Sequence, residues 1–263
     1  MAIRQAGFNL WEPRKHYRRV LWLSDVHVPY HDPAALSGWL SFARDYEPDL
    51  IVVGGDFYNF HQISRHPQDP TKRNDDVQSE IDAGRPLIKK IDELGADVVF
   101  HIGNHDWRLI GLTQDLPGLH GLKALDLKNA AELPARWDVI PSQGRLRIGS
   151  LDFLHGDLKG RGGGAKHVAS WMFAKLKRSC IFGHFHRFNT FLDPDGDGVV
   201  RGAFAVGHMA NVSTLADYCP VNDWVQGFCS VDFDHKRNLF SVSNHIIVDG
   251  RFRFGGKTYG RGR

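Results

Sequence analysis

The chain has 263 residues, with 33 Lys+Arg against 30 Asp+Glu and a formal net charge of +3. A hydrophobic share of 42% with 24% charged residues is ordinary globular composition, which excludes general disorder and allows a sizeable core in one domain. Its apolar runs, such as Leu50-Ile51-Val52-Val53, fall far short of the ~18 residues a membrane span needs.

Residues 1–19 are polar and basic, without the apolar stretch of a secretory signal, and are expected to form a basic surface arm. Val20-Leu21-Trp22-Leu23 then runs into Ser24-Asp25-Val26-His27. Asp32 followed by Pro33 is an N-cap with proline at the first helical position, and Leu36, Trp39, Leu40 and Ala43 keep helical spacing behind it. Asp49–Val53 reads as a buried strand closed by Gly54-Gly55-Asp56. Phe57 to Lys72 reads as a long loop, and Asp75 to Leu94 as a helix that Gly84 and Pro86 should kink. Asp97–Ile102 is another buried strand, ending at Gly103-Asn104-His105-Asp106. Strand and helix alternate up to this point, which implies right-handed crossovers and a largely parallel sheet.

The second half differs. Arg145–Ile148 and Leu151–Leu154 look like paired strands, Val168–Lys177 like an amphipathic helix, and Cys180–Phe182 like a strand leading to Gly183-His184-Phe185-His186. Strands and turns follow to about Phe254, and residues 255–263 are expected as a flexible Gly/Arg tail. No linker splits the chain, so 20–254 is expected to be one domain. Cys180, Cys219 and Cys229 cannot all pair within one chain and share no CxxC spacing, so a reduced, cytoplasmic setting is expected.

The count that stands out is 15 histidines. Asp25-Val26-His27, Gly55-Asp56, Asn104-His105-Asp106, His155-Gly156-Asp157 and His184-Phe185-His186 each sit where an apolar strand stops, and functional crevices of open α/β sheets lie there. Carboxylate, imidazole and one amide oxygen, without thiolate, suit Mn, Fe, Zn or Ni. Asp25/His27 and His184/His186 are two residues apart, which in an extended segment places both side chains on one side. Glycines before Asp56, Asn104 and His184 allow close backbone approach.

These blocks, DxH, GD, GNHD, a later His and GHxH in order, resemble the calcineurin-like metallophosphoesterase superfamily over most of the chain. The resemblance implies an α/β fold, a four-layer α-β-β-α sandwich of two mixed sheets flanked by helices. It also implies two divalent ions, manganese first, with Fe, Zn or Ni as alternatives. Asp25, His27 and His186 would hold one, Asn104, His155 and His184 the other, and Asp56 would bridge them. His105 would sit beside the substrate phosphate with Asp106 orienting it, and a metal-bridging hydroxide would attack a phosphate ester. Diesters are expected over monoesters, because GNHD occurs here without the GDxxDRG block; where some branches carry a further Asp, this chain has Asn59. A nuclease of the repair-exonuclease-like branch, with nucleic acid as partner, and a catalytically silent binding scaffold are the alternatives. No membrane partner is expected.

Four further features invite a bland explanation beside a functional one. His120, His167 and His208 also follow GNHD, but His155 ends an apolar strand and precedes glycine. His61 and His66 read as loop histidines bordering the site. Gly160–Gly164, before Ala165-Lys166-His167, is either a phosphate cradle or a surface loop. Asp193-Pro194-Asp195-Gly196-Asp197 mimics a calcium loop, yet Phe204 stands where a bidentate Glu is required, so a turn is expected.

Overall fold

Alternate residues of the apolar runs face two different layers, and that alternation builds the molecule. The computed structural model describes residues 2–65, 76–158, 166–194, 199–215 and 223–261. In chain order these form β1 (Ile3–Gly7), β2 (Leu10–Pro13), β3 (Arg19–Leu23), α1 (Pro33–Tyr46), β4 (Leu50–Val53), α2 (Val77–Asp92), β5 (Asp97–His101), α3 (Trp107–Asp115), α4 (Leu127–Ala130) and β6 (Asp138–Ile140). There follow β7 (Arg145–Ile148), β8 (Leu151–Leu154), α5 (Val168–Leu176), β9 (Ser179–Phe182), β10 (Asn189–Pro194), β11 (Val200–Ala205), α6 (Val212–Leu215), β12 (Gly227–Asp234), β13 (Leu239–Ile246), β14 (Phe252–Phe254) and β15 (Lys257–Tyr259).

One sheet has six strands in the order β13-β12-β3-β4-β5-β6, and the other has seven, β1-β2-β7-β8-β9-β11-β10. β3, β4, β5 and β6 are parallel, with Leu23 opposite Val53 and Val53 opposite Phe100. Leu21, Leu23, Ile51, Val53, Val98 and Phe100 pack under α1 and α2. Their neighbours Val20, Trp22, Leu50, Val52 and Val99 meet Leu146, Ile148, Leu151, Phe153 and Ile181 of the other sheet. On that sheet's far face, Leu154, Cys180, Phe182, Ala203 and Ala205 pack against Val168, Ala169, Met172 and Phe173 of α5. The result is the expected four-layer sandwich of two mixed sheets between helices. No helix among the described residues is long and apolar enough to cross a membrane.

Local signals act as the sequence implies. The Asp32 carboxylate accepts the N–H groups of Ala34 and Ala35, with Pro33 opening α1. Cys180 and Cys229 are free and buried, while Cys219 lies outside the described residues.

Three expectations change. Residues 1–19 are not an arm: β1 and β2 form a hairpin, and β2 adds to the seven-stranded sheet through Leu10↔Arg145 and Trp11↔Leu146. Ile3 and Tyr17 are buried. The tail is likewise not free up to Gly260: β14 and β15 pair around Gly255-Gly256, and Tyr259 packs on Phe42 and Phe252. Finally, α2 runs unbroken through Gly84 and Pro86. Gly84 serves packing, since a Cβ there would lie 2.5 Å from the Tyr58 ring. In an isolated helix Gly84→Ala would stabilise by ~1 kcal/mol; here overpacking against buried Tyr58 should reverse the sign and cost ~1–3 kcal/mol. Urea denaturation of the two proteins measures this, and a stabilised variant would refute the packing argument.

Candidate metal centre

β3, β4, β5, β8 and β9 all stop at one edge of the sandwich, and their polar C-terminal blocks meet there. Asp25, His27, Asp56, His155 and His186 are each at most 4% exposed. Asp25, His27 and His186 bring one ligand atom each within 4.8 Å of one another, as do Asp56, His155 and His184, and also His27, Asp56 and His105. Asn104 Oδ1 lies 3.0 Å from His155 Nε2. The structure therefore collects all seven candidates in two sets, with Asp56 between them. Of the alternative histidines, His120 and His167 are exposed, and His208 stands behind His186, ring centroids 5.2 Å apart.

The reason the pairs converge differs from the one expected. Asp25, His27, His184 and His186 are not extended: their φ angles are 53°, 51°, 69° and 59°, and Asp56 has 51°. Each left-handed residue turns the chain sharply, so alternate side chains come together by kinking. Such conformations cost ~1–3 kcal/mol each and cluster at functional sites. The glycines make the space. A Cβ at Gly103 would collide with the Asp56 carboxylate, and one at Gly183 with that of Asp25.

The carboxylates also tie the blocks to each other. Both Asp25 oxygens lie 3.0 Å from the His184 N–H, and Asp56 Oδ1 accepts the His105 N–H at 2.8 Å. Asp106 accepts the N–H groups of Tyr58 (2.9 Å), Gly103 (3.0 Å) and Phe57 (3.3 Å). Asp106 is thus a buried backbone clamp rather than the partner of His105, because its oxygens are already occupied by these amides. Burial, with Asp56 nearby, raises its pKa to about 7. His105 is oriented instead by the Asn59 carbonyl, 2.8 Å from Nδ1. Its Nε2 faces Arg108 Nη2 at 3.2 Å, and burial lowers its pKa to about 4.

Chemically, the donor set fits a divalent cation. His27 Nδ1 is 3.1 Å from Asn59 Oδ1 and His155 Nδ1 is 2.9 Å from the Gly54 carbonyl, so those nitrogens carry the protons and each Nε2 presents a lone pair. His155 Nε2 then sits 3.2 Å from Asp56 Oδ2 and 3.0 Å from Asn104 Oδ1. On the other side, His27 Nε2 and His186 Nε2 are 3.1 Å apart, with Asp25 Oδ1 3.3 Å from the latter. Around His155 Nε2, acceptors this close need a proton or a cation between them. Burial disfavours a charged His155, but the Asp56 carboxylate outweighs it and holds the imidazole pKa well above normal. The potential that draws a proton there draws a dication more strongly.

The calcineurin-like phosphoesterase family model matches residues 18–202, and the chain belongs to that family. The Gene 54 protein of Mycobacterium phage L5 is 27% identical over 254 residues, 89% of this chain and 98% of that protein. Among solved structures, a single mutant of Vps29 from Entamoeba histolytica aligns with a TM-score of 0.47 and 16% identity, over 89% of this chain and 96% of its own. Vps29 from Cryptosporidium parvum gives 0.46 and 13%, over 93% and 95%.

Several residues around the centre carried no motif. Asn59 holds both His27 and His105, and Glu80 accepts the Asn59 and Phe60 N–H groups from beneath, at 2.7 and 2.5 Å. Arg108 could have been found, since it lies three residues after His105 on the start of α3. His61 lies near Tyr30 (Oη to Nδ1, 3.4 Å). His66, the Gly160–Gly164 segment and residues 195–198 lie outside the described residues.

The clamp role of Asp106 has a direct test. Asp106→Asn turns one acceptor into a donor facing a backbone N–H, which should cost ~1–3 kcal/mol. Denaturation in EDTA measures it free of any ion. A variant as stable as the parent would show that the three amides are not held as described.

Proposed function

We propose that the chain is a binuclear metal-dependent hydrolase of phosphate esters that prefers diesters. The observation that carries this is two adjacent donor sets, Asp25/His27/His186 and Asp56/His155/His184, with an Asp56 oxygen also within 4.8 Å of a His27 nitrogen. Asp25, His27 and His186 would hold one ion, Asn104, His155 and His184 the other, and Asp56 both. Divalent cations held there supply charge to the phosphoryl oxygens and an acidified water nucleophile. The diester preference rests on GNHD without GDxxDRG, and manganese on the oxygen–imidazole donor set. A silent scaffold is disfavoured by the donor set itself, since a chain freed from catalysis has no reason to keep five left-handed residues and an uncompensated cluster of acceptors.

The remaining chemistry belongs to the chain. His105 lies at the edge of the cluster, Nε2 4.0 Å from Asp56 Oδ2. Burial and Arg108 keep it neutral until an anionic phosphate lies against Nε2; that charge restores its proton affinity. It can then protonate the leaving oxygen, with Asn59 fixing the ring and Arg108 offsetting phosphoryl charge.

Elemental analysis after Mn(II) reconstitution should give two ions per chain, and one or none in Asp56→Ala. Differential scanning should show the parent stabilised by Mn(II), by ~2.7 kcal/mol at a hundredfold excess over Kd, and the variant much less. No bound transition metal in the parent would sink the proposal.

With Mn(II), bis(p-nitrophenyl) phosphate should be cleaved faster than p-nitrophenyl phosphate, with single- and double-stranded DNA tested beside them. His105→Ala should lose ~10²–10⁴-fold in kcat on an alkyl diester, less on p-nitrophenyl esters, and keep both metals. Loss of an ion, or near-normal alkyl-ester turnover, would overturn its role.

A further inference from the structure

Beside the centre lies a cavity of about 210 Å³ that no motif marks, and it begins at a candidate ligand. Asn104 and Arg108 line one part of it, Trp107, Gly111 and Ile63 its wall, and Arg65 and Asp115 its mouth. Arg65 and Asp115 form an ion pair and are the exposed members, with side chains 72% and 48% accessible. Arg108 joins the two spaces, because its guanidinium reaches His105 Nε2 at 3.2 Å and the Asn59 carbonyl at 2.8 Å.

The wall is built around one indole. Trp107 opens α3 and Gly111 follows it by four residues, on the same face. A Cβ at Gly111 would lie 2.5 Å from Trp107 Cζ3, so the absence of a side chain lets the ring lie along the helix. Trp107 is only partly buried against the core, as is Ile63 opposite. A tryptophan placed for stability alone would gain more by full burial.

The geometry points to a specificity subsite for the nucleobase of a nucleotide phosphodiester, with Trp107 as its stacking platform. This deepens the proposed esterase reading and rests on it. A volume of about 210 Å³ lies below the ~300–1,000 Å³ of pockets that enclose a drug-sized ligand, so one planar ring system fits and a whole nucleotide does not. The phosphate would lie at Asn104, His105 and Arg108, and the base along Trp107. An aliphatic substituent would leave the indole uncovered. A plain aryl ring would stack but leave unused the polar mouth, where Arg65 Nη2 is spent on the Asp115 carboxylate and the other guanidinium N–H groups and carboxylate lone pairs can meet the donor and acceptor edge of a base.

The test separates ring from phosphate. Binding of AMP, ribose 5-phosphate and phenyl phosphate to the Mn(II)-reconstituted protein is measured by calorimetry, and turnover with the methyl esters of AMP and ribose 5-phosphate. AMP should bind about tenfold more tightly than ribose 5-phosphate, with phenyl phosphate between them, and the AMP ester should show the correspondingly lower KM. Trp107→Ala should abolish the preference and Trp107→Phe should retain most of it. Gly111→Val, which keeps the tryptophan but displaces its ring, should abolish it too, with ribose 5-phosphate binding unchanged throughout. Equal binding of AMP and ribose 5-phosphate, or a preference that survives Trp107→Ala, overturns the subsite; phenyl phosphate equal to AMP overturns the nucleobase. Hydrolysis without base preference counts against the subsite alone, whereas base-selective binding without hydrolysis of either ester counts against the esterase reading alone.

Discussion

Lone pairs are forced against lone pairs at the heart of this molecule. Around His155 Nε2, Asp56 Oδ2 and Asn104 Oδ1 approach to 3.2 and 3.0 Å, at the edge of the sandwich where the strands end. The His155 Nδ1 proton is committed to the Gly54 carbonyl, so Nε2 needs a further proton or a cation to meet the Asp56 carboxylate. The resulting potential is specific: it attracts compact positive charge and repels anything else. A proton relieves it at one point only. A dication would satisfy three or four acceptors together, which makes a site of this kind costly for the chain alone and selective for metal.

Two opposing terms decide whether such a site holds its shape. Left-handed backbone at Asp25, His27, Asp56, His184 and His186 costs several kcal/mol in sum, at ~1–3 kcal/mol per residue. Against it stand the parallel strands that deliver each block, buried on both faces, and the carboxylate-to-amide bonds that cross between blocks. Asp25 holds the His184 amide, Asp56 the His105 amide, and Asp106 three amides from two blocks. Charge-assisted bonds of this kind are about twice as strong as neutral ones. Each ligand carboxylate therefore keeps one part of its hydrogen-bonding capacity for the fold and turns the rest inward.

The sequence displays what is contiguous and hides what is assembled. Buried strands must be apolar on both faces, so β3, β4, β5 and β9 stand out as unbroken runs, and the polar residue that ends each run marks the site. β1 and β2 carry no such run: Ile3 is buried but its neighbours are exposed, and their stability comes from pairing and from Asp138 accepting the Ala2 and Ile3 amides. Nothing local announces that. The terminal hairpin was legible in principle, because Gly255-Gly256 between aromatic residues is a turn signal of the type that needs two positive φ angles, and both glycines have them. Composition, rich in glycine and arginine, masks it. Asp106 illustrates the deeper limit. Its place after GNH suggests an imidazole partner, whereas its partners are main-chain amides, two of them from another block, which carry no residue identity to read.

Asn59 shows how the metal side and the substrate side of the site become one unit. Its side chain fixes the proton on His27, a candidate ligand, while its carbonyl receives His105 and Arg108. Its own amide is anchored from below by Glu80, a buried acid whose pKa burial raises to about 7. A shift of this one residue would change ligand orientation, the angle of His105 and the position of the guanidinium together. The chemistry at position 59 matters for the same reason. An amide oxygen accepts the His27 N–H without adding charge, whereas a carboxylate there would make the imidazole more basic and bind a cation more tightly. With asparagine the loop joins the two sides while leaving the net negative charge to Asp25 and Asp56. Ions held there would be less fully neutralised by the protein, and more of their charge would be left to act on a phosphate.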